Sequence, residues 1–461
     1  MGRTQRRRHH RSLLKATIKS VESDALHTLY SKLHSQGWRN DTQLSGCHFP
    51  ATGRGLCSKK QHFVPGDRLI TMPVECLISI FTLESDESFK ALFNVEHFDE
   101  DARISFQALV ACYLMYQQHE SSEKADTNSA AYLNTLPANY TTPYFCTIPE
   151  LQLLPEALLE RTVAQNRTIR NYYLILETLL GSKHCPNCNQ CYFSDIWTLT
   201  DFRRAYFAVN TRSVYVESRH LKPTKCHFQA LIAGDTNLAL APFLDLFNHS
   251  DAVETSAELK RTSDGKSWEF VLTLVSAPSD SIKPYCELFI SYGALPNLKL
   301  LTEYGFFLER NAHDYFEFSL LDIEHLIKHN KELNTQNYHR NIFKFIRDHN
   351  LCDQMFVNLA DGCSHNLRVV LHLIFKQQSY FPNVLNQIAF GDANKFDDVQ
   401  PELSYLITYK LHEYEHYTAA LAQLPELSDS GIVARSYLLE CMRYLSDFEA
   451  AHCDLKLTDF E

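Results

Sequence analysis

Leu238-Ala239-Leu240-Ala241-Pro242-Phe243-Leu244-Asp245-Leu246-Phe247-Asn248-His249-Ser250 begins as an apolar run and ends in four polar side chains. Read alone, Asn-His-Ser is a polar loop. The apolar residues before it would anchor that loop in a core, which places its amides well for a ligand. The same three residues spell a glycosylation sequon, a reading that requires a secretory route. Upstream, Thr52-Gly53-Arg54-Gly55-Leu56 sets two glycines around one residue. That is a turn or bulge at which a ligand approaches the backbone closely. It lacks the third glycine of a dinucleotide loop, and no Gly-x4-Gly-Lys-Ser/Thr phosphate loop is present. Downstream, Glu287-Leu288-Phe289-Ile290-Ser291-Tyr292-Gly293 reads as a strand that delivers Tyr292, and Glu303-Tyr304-Gly305-Phe306 follows. Taken singly, each tyrosine is as well explained by a core aromatic with a satisfied hydroxyl.

The surrounding pattern is mixed. Val21, Ala25, Leu29 and Leu33 predict a helix over 21–38. Residues 53–58 and 68–72 read as strands about the Pro65-Gly66 turn. Helical spacing covers 103–118 and 150–180. Trp268, Phe270, Leu272 and Leu274 alternate as a half-buried strand, and 286–292 is another. From about 320 onward the pattern is helical. Strands on both sides of a helical stretch predict one β-rich domain interrupted in sequence.

In this order the segments resemble the SET-domain methyltransferases of the Rubisco large-subunit methyltransferase-like class. The likeness runs through Gly53-Arg54-Gly55-Leu56, Val209-Asn210-Thr211-Arg212, Asp245 to Ser250, Ile290-Ser291-Tyr292-Gly293 and Glu303-Tyr304-Gly305-Phe306. It covers about residues 25–310, and more loosely the helical remainder. The resemblance implies an α+β protein. A basic flexible tail over 1–24 precedes a SET domain over 25–310, with a helical insertion at about 100–200. An all-α substrate-binding domain would fill 311–461. The strand before Tyr292 opens with Tyr285-Cys286-Glu287 where the class often has Gly-Glu, a departure read as a turn outside the pocket.

The resemblance also implies S-adenosyl-L-methionine as cofactor, in a pocket beside a knot-like crossing of two segments. The backbone at Thr52, Gly53 and Arg54 would line one wall. Arg212 would pair with the cofactor carboxylate, as a guanidinium suits a planar carboxylate. Asp245 would shape the loop, Asn248 and His249 would contact the amino-acid and adenine parts, and Phe306 would stack on the adenine. Tyr292 would stand at the methyl-transfer channel and Tyr304 would line the target pocket. The implied activity is methylation of a protein lysine, with a histone among the candidate substrates. Protein-histidine methylation and a non-catalytic SET-fold scaffold are the rival readings. Methyl transfer from a sulfonium is an in-line displacement by a neutral amine, so positioning carries much of the rate.

Composition sets the outer bounds. The 461 residues are 45% hydrophobic and 21% charged, the range of ordinary globular proteins. At roughly 150 residues per domain, that length suggests two or three domains. No stretch approaches the ~20 apolar residues of a membrane helix, and no secretory signal is expected from the N-terminal residues. A net charge of -11 argues against nucleic acid bound across the whole surface. Residues 1–20 nevertheless carry seven Lys and Arg and no acid, a solvated tail or a nuclear address. Residence in nucleus and cytoplasm is therefore expected, without membrane or nucleic-acid partners. The 14 cysteines are expected as reduced thiols.

His184-Cys185-Pro186-Asn187-Cys188-Asn189-Gln190-Cys191 has knuckle-like spacing. A tetrahedral site usually takes two separated pairs, and no second pair is evident. The expectation is an insertion loop without metal, with binding by Cys185, Cys188 and Cys191 left open. His365 and His372 show no ligand spacing.

Overall fold

The computed structural model describes residues 19–20, 24–93, 102–123, 128–186, 188, 190–217, 226–329, 340–376, 381–391 and 399–452. Most of the expected basic tail, 1–18, lies outside them. The chain divides into two compact units: Met1–Tyr140 with Gln165–Ala294, and Thr141–Ala164 with Leu295–Glu461. Thr141–Ala164 thus leaves the helical insertion and joins the second unit, which starts earlier than the expected break at 310.

The first unit is built on strands β1 (Lys19–Ser20), β2 (Leu44–Phe49), β3 (Gly53–Ser58), β4 (Arg68–Pro73), β5 (Ser213–Tyr215), β6 (Leu238–Leu240), β7 (Asn248–His249), β8 (Glu254–Arg261), β9 (Trp268–Ser276) and β10 (Glu287–Ile290). One sheet has the order β1-β2-β3-β10-β7, and another β8-β9-β4. Lys19, counted with the tail from sequence, pairs with His48. Gly53 opens β3 at a φ of 74° directly opposite Phe49. That left-handed turn favours glycine, which has no Cβ to clash. The expected alternation holds at Phe270, Leu272 and Leu274, all buried. Val271, on the opposite face of β9, is buried as well.

The helices of this unit are α1 (Asp24–Ser35), α2 (Phe106–Glu123), α3 (Glu156–Leu180), whose first turns belong to the second unit, and α4 (Leu199–Arg212). Leu26, Leu29 and Leu33 form the buried stripe of α1. A Thr198–Asp201 capping box starts α4. Gln107 of α2 donates to Asn210 of α4 at 2.9 Å. So α4 is fixed at both ends, and Arg212 leaves it at a set point.

The second unit is mostly helical, with α5 (Gln400–Ala422) and α6 (Asp429–His452) the longest helices wholly within it. It is not all-α. Strands β11 (Phe316–Glu317), β12 (Phe356–Asn358) and β13 (Gly362–Cys363) form a small antiparallel sheet. Phe316 and Val357 pair there and face the core, which two or three residues achieve without a strand-length pattern in sequence. Cys146, Leu154 and Leu158 join that core, which explains why Thr141–Ala164 belongs to this unit. Glu150 fastens the segment. Its buried carboxylate accepts Thr147 N–H at 2.6 Å, Ser428 N–H at 2.6 Å and the Ser428 hydroxyl at 2.7 Å.

Candidate active site

β10 lies between β3 and β7. It runs antiparallel to β3, with Glu287 opposite Cys57, and parallel to β7, with Phe289 opposite Asn248. This placement brings three of the sequence-predicted segments together within the first unit. The approach to β7 is forced. Phe243 adopts a φ of 75° and a ψ of -43° before a helical turn over Leu244–Leu246. For an aromatic residue this conformation costs about 1–3 kcal/mol and needs support from its surroundings. The support is its fully buried ring, 4.9 Å from Tyr30 and 5.1 Å from Trp38.

That turn aims Asp245 at Arg212. Asp245 Oδ2 accepts Arg212 Nη1 at 3.0 Å and the Tyr132 hydroxyl at 3.0 Å, and Arg212 Nη1 also reaches the Asp245 carbonyl at 3.1 Å. The ion pair is well buried, with side-chain exposures of 15% and 1%. Burial opposes charge on Arg212, but Asp245 outweighs it and holds the guanidinium firmly protonated. Arg54 belongs to the same cluster. Burial and the like charge of Arg212 both press its pKa down, and Asp245 offsets part of this. Burial pushes the Tyr140 phenol up to about 12, and Tyr132 well above its ordinary value. Two guanidiniums therefore share one carboxylate and two neutral phenols, a surplus of positive charge. Among the described residues, Arg212 Nε and Asp245 Oδ1 are buried without a hydrogen-bond partner. From sequence, the Arg54 backbone was expected to line a wall of the pocket and Arg212 to pair with the cofactor carboxylate; the structure adds the Arg54 side chain and the Arg212–Asp245 ion pair.

Asn248 is a brace. Its Nδ2 donates to the Arg54 carbonyl at 3.0 Å and to Glu287 Oε1 at 2.7 Å. Thr52 Oγ1 donates to Glu287 Oε2 at 2.6 Å. Glu287 thus ties Thr52, Asn248 and β3 together, so it is no outlying turn residue. Burial raises its carboxyl pKa, against the Thr52 and Asn248 hydrogen bonds. Sequence reading missed it because it was judged by the missing glycine beside it. Gly55 is the complement. A Cβ there would stand 2.4 Å from Glu287 Oε1 and 2.9 Å from Asn248 Nδ2. Gly55→Ala is expected to cost about 1–3 kcal/mol by overpacking a tethered pair. Urea unfolding measures it; a cost within about 0.5 kcal/mol, usual for a neutral surface change, would mean that Glu287 swings clear.

His249 is buried and stacked at 5.0 Å under Tyr292. Tyr292 N–H donates to His249 Nδ1 at 3.1 Å. The same Nδ1 lies 3.3 Å from the Ile290 carbonyl, so the ring is held between two backbone groups of one strand end. The Tyr292 hydroxyl donates to the Phe247 carbonyl at 2.7 Å. Its proton is thereby committed, and the oxygen meets other groups through its lone pairs.

Tyr304 and Phe306 belong to the second unit. Tyr304 ends a π-helical turn over Leu300–Tyr304, a form frequent at functional sites. Gly305 closes the turn at a φ of 82°, and its carbonyl accepts the Thr141 hydroxyl at 2.7 Å. A Cβ on Gly305 would lie 2.7 Å from Thr141 Oγ1, so only glycine fits. The Tyr304 and Phe306 rings stand edge-on at 6.2 Å. Burial, then Glu303, raises the Tyr304 phenol pKa.

No family model matches the chain. SET domain-containing protein 4 of Mus musculus is 26% identical over 451 residues, covering 95% of this chain and 92% of its own. Actin-histidine N-methyltransferase of Xenopus tropicalis is 29% identical over 217 residues, 44% of this chain and 31% of that protein. Among solved structures, the SET domain of Rubisco LSMT, bound to lysine and AdoHcy, superposes with a TM-score of 0.60. It is 17% identical and covers 93% of this chain and 91% of that one. The chain therefore has the SET-domain fold, and over most of its length its sequence is similar to SET domain-containing protein 4.

Proposed function

We propose that this protein is an S-adenosylmethionine-dependent protein-lysine N-methyltransferase. The observation that carries the reading is the Arg54–Arg212–Asp245 cluster beside the β7–β10 pair. Its surplus positive charge and its unpartnered Arg212 Nε suit a carboxylate, as the methionine part of the cofactor has. Thr52, Gly53 and Arg54 supply backbone next to it, and Asn248 holds that backbone in place. S-adenosylmethionine supplies a methyl group on a positively charged sulfur. The Tyr292 oxygen, its proton held by the Phe247 carbonyl, accepts from the incoming amine and orients it. A lysine arrives protonated, with an ordinary pKa near ~10.4. A cationic cofactor and a low-polarity channel both favour the neutral amine. Adenine stacking by Phe306 and a target pocket lined by Tyr304 are proposed on the resemblance alone. The lysine bound in the superposed SET domain supports a lysine target; a histone is one candidate. Nuclear and cytoplasmic residence rests on the basic residues of 1–20.

The partial similarity to actin-histidine N-methyltransferase favours histidine as the second reading. Calorimetry with S-adenosylmethionine, then methylation of a cell extract with labelled methyl donor, tests the proposal. One-to-one binding and labelled methyllysine are expected. Methylhistidine without methyllysine overturns the lysine assignment, and no binding by folded protein overturns the enzyme.

A further inference from the structure

Helix α2 carries His119 on its last turns, and the loop after α3 carries three cysteines. The structure brings them together. His119 Nε2 lies 3.5 Å from Cys188 Sγ. The ligand atoms of His119, Cys185 and Cys188 all fall within 4.8 Å of one another. The Cys191 thiol hydrogen-bonds with Cys188. The loop is folded around these sulfurs: Cys191 N–H donates to Cys188 Sγ at 3.5 Å, and Cys185 N–H to the Cys191 carbonyl at 2.9 Å. His184, the histidine adjacent in sequence, is engaged elsewhere, stacked on Tyr192 at 4.0 Å. Cys185 is buried, and His119, Cys188 and Cys191 are half-buried.

We propose that His119, Cys185, Cys188 and Cys191 form a structural zinc site. Three thiolates and an imidazole are a donor set that zinc prefers and that magnesium or calcium does not. Tetrahedral zinc, with bonds of about 2.0–2.3 Å, sets neighbouring ligand atoms about 3.4–3.8 Å apart. His119, Cys185 and Cys188 already lie near that range, and Cys191, beside Cys188, would turn its thiol inward to complete the set. An iron–sulfur cluster would call for a fourth cysteine, and a histidine on a helix takes that place. Loading breaks three S–H bonds, releases three protons to solvent and forms three Zn–S bonds and one Zn–N bond, with no change of oxidation state. Four protein ligands leave no open position, so the ion would staple the end of α2 to the loop between α3 and α4. In place of the second pair that the sequence did not show, the loop meets a histidine far upstream.

The test is the zinc content of the full-length protein, purified without chelator under reducing conditions. About one zinc per chain is expected, with a native mass raised by one zinc less two protons at fixed ion charge. His119→Ala and the pair Cys185→Ser with Cys188→Ser should each lose the zinc. Should these variants fail to fold, cobalt replacement in the wild-type chain decides. Thiolate-to-cobalt charge transfer and strong tetrahedral d–d bands are expected. Folded protein that takes up no zinc when it is supplied overturns the proposal. So does zinc retained by both variants, octahedral cobalt, or an iron–sulfur chromophore. None of these readouts depends on S-adenosylmethionine or on methyl transfer.

Discussion

Asp245→Ala should cost the protein about 3–5 kcal/mol of stability, because it strips the partner from a buried guanidinium. Three losses coincide there. Arg212, 15% exposed, keeps its charge with no anion beside it. The like charge of Arg54 is no longer offset by Asp245. The Tyr132 hydroxyl loses its acceptor. The double variant Arg212→Met with Asp245→Leu separates charge from packing. It removes both ions and fills a similar volume, so most of the stability should return. Cofactor binding should not return, because the carboxylate partner is gone. Urea midpoints of the three proteins are the measurement. A double variant as unstable as Asp245→Ala would show that packing, rather than an unpaired charge, dominates.

Tyr292→Phe should lower methyl transfer by about 10²–10³-fold, the usual cost of one oriented polar group at a reacting centre. It should leave the fold nearly intact. The lost hydrogen bond to Phe247 is worth about 1 kcal/mol net, and the ring keeps its stack on His249. Binding of S-adenosylmethionine should be little changed, since the Arg54–Arg212–Asp245 cluster is untouched. Single-turnover assays with labelled methyl donor give the rate, and calorimetry gives the affinity. An unchanged rate would make Tyr292 a packing residue and weaken the enzyme reading. A rate and an affinity that fall together would place its hydroxyl on the cofactor instead.

The sequence made some of this legible and hid the rest for a physical reason. β3 and β9 were readable because a paired glycine and a period-two alternation are local signals. Arg212, Asp245, Asn248, His249 and Tyr292 were nameable because their segments occur in a recognisable order. What stayed hidden was fixed by partners remote along the chain. Glu287 takes its meaning from Thr52, 235 positions away, and Asn248 from Arg54, 194 positions away. Cys188 meets His119 across 69 positions. No local pattern encodes such contacts. The small sheet of β11, β12 and β13 was missed because strands of two or three residues leave no periodicity. Tertiary packing alone moved Thr141–Ala164 into the second unit.

That segment also sets a clock. Glu150 must wait for Ser428, 278 residues later in synthesis. At roughly 5–20 residues per second, the delay is roughly 14–56 s. Through that interval Cys146, Leu154 and Leu158 lack the part of their core that α5 and α6, the last-made helices of the unit, supply. The nascent chain therefore carries an uncovered apolar stretch in its middle for tens of seconds, the kind of surface that chaperones hold. It also follows that neither unit is a cassette. The chain passes between them after Tyr140, after Ala164 and after Ala294, so a gene fragment ending near residue 310 would inherit a segment whose core lies in the half left behind.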